Sequence, residues 1–251
     1  MSDITKSHNV LSLSDDMVFY TIEGEGEYVG QPSVFMRLAS CNLTCKGFIS
    51  ESSPHGCDSF ISWSVKNRIT FEDLSQLFVD KLYTNVLKRG AILKITGGEP
   101  LIQQKKLLKF CRYAFDQWGF VPRIDFETNA TISPLKEWSE EFNATFTTSP
   151  KLTNNGDPED KRYKPEVLKR HVELRSGFKF VVQNLNDVLE IFTKYIEPFN
   201  IDPSRVWFMP CCGSRVEHIE RAPQVAEWCK EFGVNFSPRL HLLVYDQALK
   251  V

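Results

Sequence analysis

The sequence lacks an excess of charge of either sign. Its 251 residues include 30 Lys and Arg against 32 Asp and Glu, a formal net charge of −2. A protein held on nucleic acid by neutralising phosphates needs a basic excess, so we expect no nucleic-acid partner. No apolar run approaches the ~18 residues of a membrane-spanning helix, and residues 1–8 lack the apolar stretch and cleavage site of a secretory leader. We therefore expect a soluble, cytoplasmic protein with no membrane partner.

The cysteines lack the even, regular framework of a small secreted protein. There are seven, spread over a long chain, and Cys41, Cys45 and Cys57 are clustered. Reduced thiols that act as metal ligands are the better interpretation. No repeat, low-complexity tract or long linker divides the sequence, and 42% of its residues are hydrophobic. We predict a single domain over residues 1–251.

Short runs of β-branched and aromatic residues alternate with stretches of helical period. Strands are predicted at 33–39, 91–96, 123–128, 144–148, 178–183, 205–209 and, with a weaker pattern, 240–245. Helices are predicted from Thr70 to just before Gly90, and at 101–118, 186–195 and 222–232. This alternation predicts an α/β fold with a mainly parallel sheet, either doubly wound or curled into a partial barrel. Functional residues of such folds lie at the C-terminal ends of strands.

The clustered cysteines follow the first predicted strand. Three thiolates on one loop suit a soft metal ion or an iron–sulfur cluster. His55 lies two residues before Cys57 and offers a fourth ligand. On spacing alone, a structural zinc site with three cysteines and one histidine therefore stays open.

The segment Thr-Gly-Gly-Glu-Pro at 96–100 ends the second predicted strand. Two glycines at this point let the backbone approach a ligand closely. The segment is neither a P-loop nor a dinucleotide fingerprint, because the Lys-Ser/Thr pair and the third glycine are missing. Taken alone, it is equally typical of a simple strand-to-helix connection.

Together, and in this order, the cysteine loop and the Gly-Gly-Glu turn resemble the radical S-adenosylmethionine (SAM) superfamily. Further motifs resemble one family within it, the 7-carboxy-7-deazaguanine synthases, over nearly the whole chain. They are Ile-Glu-Gly-Glu-Gly at 22–26, Arg37, Cys-Asp-Ser at 57–59, Glu-Thr-Asn at 127–129, Ser-Pro-Lys at 149–151 and Phe-Ser-Pro-Arg-Leu-His at 236–241. The resemblance implies a partial (β/α)6-type radical SAM barrel.

The resemblance also implies the chemistry. A 4Fe-4S cluster on Cys41, Cys45 and Cys57 would reduce SAM, and the resulting radical would take hydrogen from 6-carboxy-5,6,7,8-tetrahydropterin. Ring contraction with loss of ammonia would give 7-carboxy-7-deazaguanine for queuosine-type 7-deazapurine biosynthesis. Mg²⁺, an electron donor such as flavodoxin and a homodimer are further expectations, the last because a small sheet exposes open edges.

Site residues are carried over by position in the matching motifs. The resemblance implies Mg²⁺ at Ser59, substrate contacts at Ile22, Glu23, Gly24, Glu25, Arg37 and Thr96, and SAM contacts at Gly98, Glu99, Glu127, Ser149, Pro150 and Lys151, with Met209, Cys212 and His241 as further candidates. Arg37 suits a bidentate carboxylate clamp. Without the resemblance, an exposed strand charge is the favoured interpretation of Arg37, and the strand pattern does not decide which way its side chain points.

The chain departs from the family pattern at several points. Residues 46–56 separate the second and third cysteines and form an insertion within the cluster-binding loop. Loop closure costs only ~0.6 kcal/mol per doubling of length, so Cys57 remains the expected third ligand. Glu23 replaces the usual Gln, Met209 stands where the family has Gln before a proline, and Cys211 with Cys212 are interpreted as buried, unreactive thiols.

Two other functions stay open at this point. One is a radical SAM activating enzyme for a glycyl-radical partner, which shares the cysteine loop and the Gly-Gly-Glu turn. The other is a zinc-stabilised binding module.

Overall fold

A computed structural model describes residues 9–51 and 53–248. The N-terminal segment 1–8, for which no leader is predicted, lies outside the described residues, as do both ends of the predicted domain 1–251. The strands are β1 (Val10–Ile22), β2 (Pro32–Leu38), β3 (Asn67–Thr70), β4 (Ile92–Gly97), β5 (Arg123–Thr128), β6 (Thr145–Thr148), β7 (Gly177–Val182), β8 (Val206–Pro210) and β9 (Asn235–Phe236). The helices are α1 (Phe60–Ser64), α2 (Phe71–Asp80), α3 (Tyr83–Lys88), α4 (Gln104–Trp118), α5 (Glu137–Glu140), α6 (Glu159–Arg162), α7 (Pro165–Glu173), α8 (Leu185–Ile191), α9 (Glu197–Phe199), α10 (Arg215–Phe232) and α11 (Leu240–Tyr245).

All described strands belong to one sheet, in the order β3-β1-β2-β4-β5-β6-β7-β8-β9. Each pair from β2 to β9 is parallel, and β1 runs antiparallel to both β2 and β3. The six predicted parallel strands agree with β2 and β4 to β8 to within one residue at each end. The predicted α/β class with a mainly parallel sheet is therefore confirmed.

The parallel strands alternate between apolar and polar side chains. The apolar set packs with the helices in a buried core and includes Val34, Met36, Leu38, Leu93, Ile95, Ile124 and Phe126. The alternate positions carry Arg37, Lys94, Thr96, Asp125, Glu127, Thr147 and Lys179. Because successive side chains of a strand point to opposite faces, the helices cover one face and the polar set lines the other. This alternation places Arg37 on the polar face, which the strand pattern alone left open.

Several predicted elements differ in the structure. The helix predicted from Thr70 to Gly90 is two helices, because Leu82 adopts a left-handed conformation (φ 58°) that ends α2 and starts α3. Residues 240–245 form helix α11 and not a strand, and the sheet edge next to β8 is occupied by β9. Helix α10 begins earlier than predicted, at Arg215, because the Ser214 side chain caps it by accepting from the Glu217 amide.

Strand β1 was not predicted from the sequence. It is interrupted by an irregular register between Leu13 and Val18, where Asp15 and Asp16 break the apolar alternation. A bulge of this kind hides the period-2 signal. Within the described part of the chain, no helix combines the length and the apolar character needed to cross a bilayer.

Candidate active site

A cavity of about 580 Å³ opens at the C-terminal ends of the parallel strands. Among the predicted site residues, Glu99 and Pro150 lie outside its lining. The lining includes Ile22, Glu23, Gly24, Glu25, Arg37, Cys41, Cys45, Cys57, Ser59, Thr96, Gly98, Glu127, Ser149, Lys151, Met209, Cys212 and His241. Residues from both ends of the sequence thus meet in one space, as expected for strand C-termini.

The three clustered cysteines are free thiols on this lining. Burial raises the pKa of Cys41 to about 12 and also raises that of Cys45. These two thiols are therefore protonated at neutral pH unless a bound cation replaces the proton.

Each of the three sulfurs faces a nitrogen donor, and of the three donors only Asn129 belongs to a motif singled out in the sequence. Asn129 Nδ2 lies 3.9 Å from the Cys41 sulfur, Asn155 Nδ2 lies 3.5 Å from that of Cys45, and the Trp63 indole nitrogen lies 3.4 Å from that of Cys57. Donors of this kind stabilise metal-bound thiolates and tune an iron–sulfur cluster.

The cysteine set therefore fits an iron–sulfur cluster in ligand type, access and surrounding donors. Within residues 9–51 and 53–248, no three His, Cys, Asp or Glu side chains already surround one ion position. His55, the alternative fourth ligand, stacks its ring on Phe60 at a centroid distance of 4.8 Å.

Residue 52 of the insertion 46–56 lies outside the described residues, and Phe48, Ile49, Ser53 and Pro54 contribute to the cavity lining. The last residue of the insertion, Gly56, has φ +83° and presses against Cys45, where an added Cβ would lie 2.5 Å from the carbonyl oxygen. Only glycine tolerates this approach and this dihedral. The insertion thus returns to its starting point and presents Cys57 to the same cavity as the other two thiols.

The Gly-Gly-Glu turn lies directly against the cysteine loop. A Cβ on Gly98 would lie 2.2 Å from the Ser40 carbonyl oxygen and 2.9 Å from Cys41 Cβ. The Glu99 carboxylate points away from the cavity and accepts from the amides of Leu101 and Asn129, at 3.0 and 2.7 Å, and from the Thr128 hydroxyl. Complete burial raises the pKa of Glu99 to about 7.

Arg37 extends from β2 into the cavity. Its guanidinium carbon lies 5.1 Å from the centre of the Phe19 ring, which itself stacks on Phe35. The cation is thereby held over an aromatic surface at the cavity wall. This arrangement favours a bidentate contact with an anionic ligand.

An ionic network, buried except at Asp58, forms another part of the cavity wall. Lys179 pairs with Glu25 and, at 2.5 Å, with Glu127, and Arg239 pairs with Glu25 at 2.9 Å and with Asp58. Burial acts to raise the pKa of Glu25, but Lys179 and Arg239 outweigh it and hold that pKa well below its ordinary value. Glu25 is therefore an anion that also faces the cavity.

Glu23 has a different environment from Glu25. One of its oxygens accepts from the amides of Gly24 and Glu25, at 2.9 and 3.1 Å, and the other lies 2.9 Å from Lys94 Nζ. Lys94 also pairs with Asp125 at 2.7 Å. Burial raises the pKa of Glu23, against the lowering effect of Lys94. The carboxylate thus folds the Gly24–Glu25 turn back onto the sheet.

The other predicted positions complete the wall. Lys151 Nζ donates to the Ser149 hydroxyl at 2.8 Å, and Ser59 Oγ donates to Asp58 at 3.2 Å. His241 enters from the C-terminal segment, where the Leu240 amide donates to the Gly24 carbonyl at 2.9 Å.

Met209 and Cys212 lie at the end of β8, also in the lining. Burial raises the pKa of Cys212 to about 11, and its sulfur lies 3.5 Å from His218 Nδ1. Burial also raises the pKa of Cys211. Both are protonated thiols at neutral pH.

The chain is similar to named proteins over nearly its whole length. It is 32% identical over 231 residues to the 7-carboxy-7-deazaguanine synthase of Hyperthermus butylicus, covering 90% of both chains. It is 28% identical over 233 residues to the enzyme of the same name from Pyrobaculum aerophilum, covering 92% of this chain and 94% of the relative. No family model matches the sequence.

The fold is similar to the crystal structure of QueE from Escherichia coli, with a TM-score of 0.62 over 94% of this chain and 97% of that chain, at 20% sequence identity. This similarity confirms the predicted fold, and the open edges of the sheet are compatible with a partial barrel. The relatives support the synthase prediction over both the glycyl-radical activating enzyme and the zinc module. The chain therefore belongs to the 7-carboxy-7-deazaguanine synthase family of radical SAM enzymes.

Proposed function

We propose that this chain converts 6-carboxy-5,6,7,8-tetrahydropterin into 7-carboxy-7-deazaguanine by a SAM-dependent radical ring contraction that releases ammonia. One observation carries the proposal: three free thiols, the two glycines of the Gly-Gly-Glu turn and the cation of Arg37 line a single cavity. When bound, the 4Fe-4S cluster and SAM supply the radical that abstracts hydrogen. The residues of the chain hold both cofactors beside the substrate and shield them from water.

Cys41, Cys45 and Cys57 are the proposed cluster ligands. Their support is the shared lining and the nitrogen donor that faces each sulfur. Iron binding must displace the protons of the buried Cys41 and Cys45 thiols.

The SAM-binding surface is proposed to adjoin the cysteine loop. Gly98 lets the Gly-Gly-Glu turn pack directly against Ser40 and Cys41, and Lys151 offers a cation next to Ser149. Glu127 adds an anion whose pKa burial acts to raise but Lys179 holds below its ordinary value. Glu99 and Pro150 are proposed to shape this surface from outside the lining, since Glu99 ties the turn to the end of β5.

Substrate binding is proposed on the neighbouring wall formed by Ile22, Glu23, Gly24, Glu25, Arg37 and Thr96. Arg37 binds the substrate carboxylate, because its fork of donors matches that group. Glu25 accepts from the N–H edge of the pterin, because an ionised carboxylate retains lone pairs beyond those used by Lys179 and Arg239. Met209, Cys212 and His241 close the same space.

Magnesium is proposed at Ser59. The hydroxyl lies in the cavity beside the Asp58 carboxylate, and hard oxygen atoms of this kind suit Mg²⁺. Ser59 and Asp58 would hold the ion, which would supply positive charge for binding the substrate carboxylate.

Further proposals concern the whole protein. A single domain over 1–251 with an insertion at 46–56 is supported by the continuous sheet, and a homodimer by the open edge strand β3. Cytoplasmic localisation is supported by the seven free thiols. An electron donor such as flavodoxin is required by the single-electron reduction.

The test is anaerobic reconstitution with iron and sulfide, followed by addition of SAM, a reductant and the pterin. Mass spectrometry would follow 5′-deoxyadenosine and 7-carboxy-7-deazaguanine, and formation of both is the expected result. SAM cleavage with unchanged pterin would overturn the substrate assignment.

Arg37→Gln sharpens this test. We expect its KM for the pterin to rise roughly 10- to 100-fold, the equivalent of a lost charge-assisted hydrogen bond, with little change in SAM cleavage without substrate. Arg123→Gln is the matched control, because Arg123 also stacks on an aromatic ring, that of Tyr28 at 4.7 Å, but lies outside the cavity lining. Equal effects of both substitutions would contradict the proposed carboxylate contact.

A further inference from the structure

Asp157 is distant from the cysteine loop in the sequence but contacts it in the structure. Its carboxylate accepts from the Thr44 amide at 3.0 Å, the Thr44 hydroxyl at 2.8 Å and the Cys45 amide at 2.9 Å. These contacts span 112 to 113 residues of sequence. One carboxylate therefore holds the backbone on both sides of the Thr44–Cys45 peptide bond.

The backbone conformation of Cys45 requires stabilising contacts of this kind. It is left-handed, with φ 51° and ψ 36°, at the start of the 3-10 turn Lys46–Phe48. This region is unfavourable for a residue with a Cβ, so the conformation persists only where neighbouring contacts impose it. Asp157 supplies those contacts at the residue concerned.

Asn155 extends the same arrangement to the sulfur. Its fully buried amide nitrogen lies 3.5 Å from the Cys45 sulfur and donates to Asp157 Oδ2 at 2.8 Å. The Asp157 amide in turn donates to Asn155 Oδ1 at 2.9 Å. The two side chains thus orient each other, and together they fix the backbone of Cys45 and the direction of its sulfur.

We propose that Asp157 and Asn155 are positioning residues for the iron–sulfur cluster, which they serve by presenting Cys45 in its ligating orientation. The inference rests on the proposed role of Cys45 as a cluster ligand. Asp157 acts on the backbone and Asn155 on the sulfur, so the two make separable predictions. Neither residue was identified by the sequence motifs.

The first experiment measures release of iron from the anaerobically reconstituted protein to a chelator. In Asp157→Asn, the amide keeps one acceptor oxygen, and its NH2 group replaces the other. This NH2 group cannot accept from the backbone amides, so the Thr44–Cys45 segment loses about half of its hydrogen bonds to residue 157. We expect iron release to accelerate roughly 10- to 100-fold, as for other outer contacts of metal ligands. Thr44→Val removes one of the bonds and should give a smaller acceleration, which keeps the test decisive if Asp157→Asn fails to fold.

Asp187→Asn is the matched control, because Asp187 is also a buried carboxylate that accepts from two backbone amides, those of Gln183 and Asn184. It should leave iron release at the wild-type rate. Equal acceleration in the Asp157 and Asp187 variants would show a general loss of stability and would overturn the proposal, as would a wild-type rate in Asp157→Asn.

The second experiment measures the midpoint potential of the cluster by electron paramagnetic resonance. Asn155→Ala removes an N–H donor that stabilises the more negative, reduced cluster, so the potential should fall relative to wild type. An unchanged potential would remove Asn155 from the proposal.

Cys45→Ala separates this inference from the proposed site. If Cys45→Ala loses cluster iron while Asp157→Asn retains it, the site stands and the positioning role is wrong. If Cys45→Ala keeps its full iron content and cluster spectrum, the ligand assignment is wrong, and the positioning role is overturned with it.

Discussion

Removal of the Lys94 charge tests the buried ion pairs beneath the active site. The Lys94 side chain is 1% exposed and pairs with Glu23 and Asp125, whose side chains are 5% and 1% exposed. Asp125 is also held by the Thr145 and Thr147 hydroxyls, at 2.7 and 3.0 Å. Lys94→Met keeps the length of the side chain, so the main effect is to leave two buried carboxylates without their cation.

Breaking a buried pair in this way costs about 3–5 kcal/mol of unfolding free energy. For a chain of this size, that corresponds to a fall in Tm of roughly 6–20 °C. The assay is urea and thermal unfolding of the reduced, metal-free protein, followed by tryptophan fluorescence. The matched control is Lys230→Met, because Lys230 and Glu227 pair at 2.7 Å with side chains 71% and 65% exposed. That surface pair should contribute only ~0.2–1 kcal/mol.

The sign of the pH dependence provides a second check on Lys94→Met. Burial already raises the pKa of Glu23, and loss of the cation raises it further. A carboxyl whose pKa is raised on folding destabilises the protein as pH rises from its unfolded value through its folded value. The loss of unfolding free energy caused by Lys94→Met should therefore be larger at pH 7.5 than at pH 5. The reasoning would be refuted if Lys94→Met lowered the unfolding free energy no more than Lys230→Met does at both pH values.

Two further predictions concern the Gly-Gly-Glu turn. Gly98→Ala should lower the iron content after reconstitution, because its Cβ would lie 2.2 Å from the Ser40 carbonyl oxygen and push the cysteine loop away. Gly233→Ala is the control for an added Cβ without a clash, because that Cβ would meet nothing within 4 Å, although the φ of +67° adds a backbone cost that Gly98→Ala does not have. Equal iron contents in the two variants would contradict the steric argument. Glu99→Gln should flatten the dependence of unfolding free energy on pH in the metal-free protein. The pKa of Glu99 is raised from 4.5 to about 7, so its contribution to stability falls as pH rises through that window, by up to about 1.4 kcal/mol per pH unit. If the unfolding free energy of Glu99→Gln depended on pH between 4.5 and 7 as steeply as that of the wild type, the raised pKa of Glu99 would be excluded.

Local sequence patterns were sufficient for six of the seven parallel strands and for the motifs at their ends, whereas the two-residue β9 was not predicted. The six strands lie in short apolar runs whose length and composition do not depend on distant residues, and their boundaries agree with the structure to within one residue. Where a local pattern was ambiguous, the prediction was wrong. Residues 240–245 have a strand-like composition but form a helix, because β9 already occupies the neighbouring sheet edge.

The direction of the Arg37 side chain could not be predicted from the local sequence pattern. The apolar residues around it in β2 are compatible with either face, and only the packing of Val34, Met36 and Leu38 against the helices turns Arg37 toward the cavity. Glu23 and Glu25 look equivalent in the sequence. Their pKa shifts are opposite because burial outweighs the lowering effect of Lys94 at Glu23, whereas Lys179 and Arg239 outweigh burial at Glu25.

The sequence by itself determined the α/β class, the family, the cysteine loop and the Gly-Gly-Glu turn, because each depends on residues close together in the chain. Only the tertiary structure revealed the side chains that support them. Asp157 lies 112 residues from the Cys45 amide that it accepts from, and Arg239 lies 214 residues from its partner Glu25. Such contacts leave no local period or spacing in the sequence, because they arise only when the sheet brings distant strand ends into one cavity.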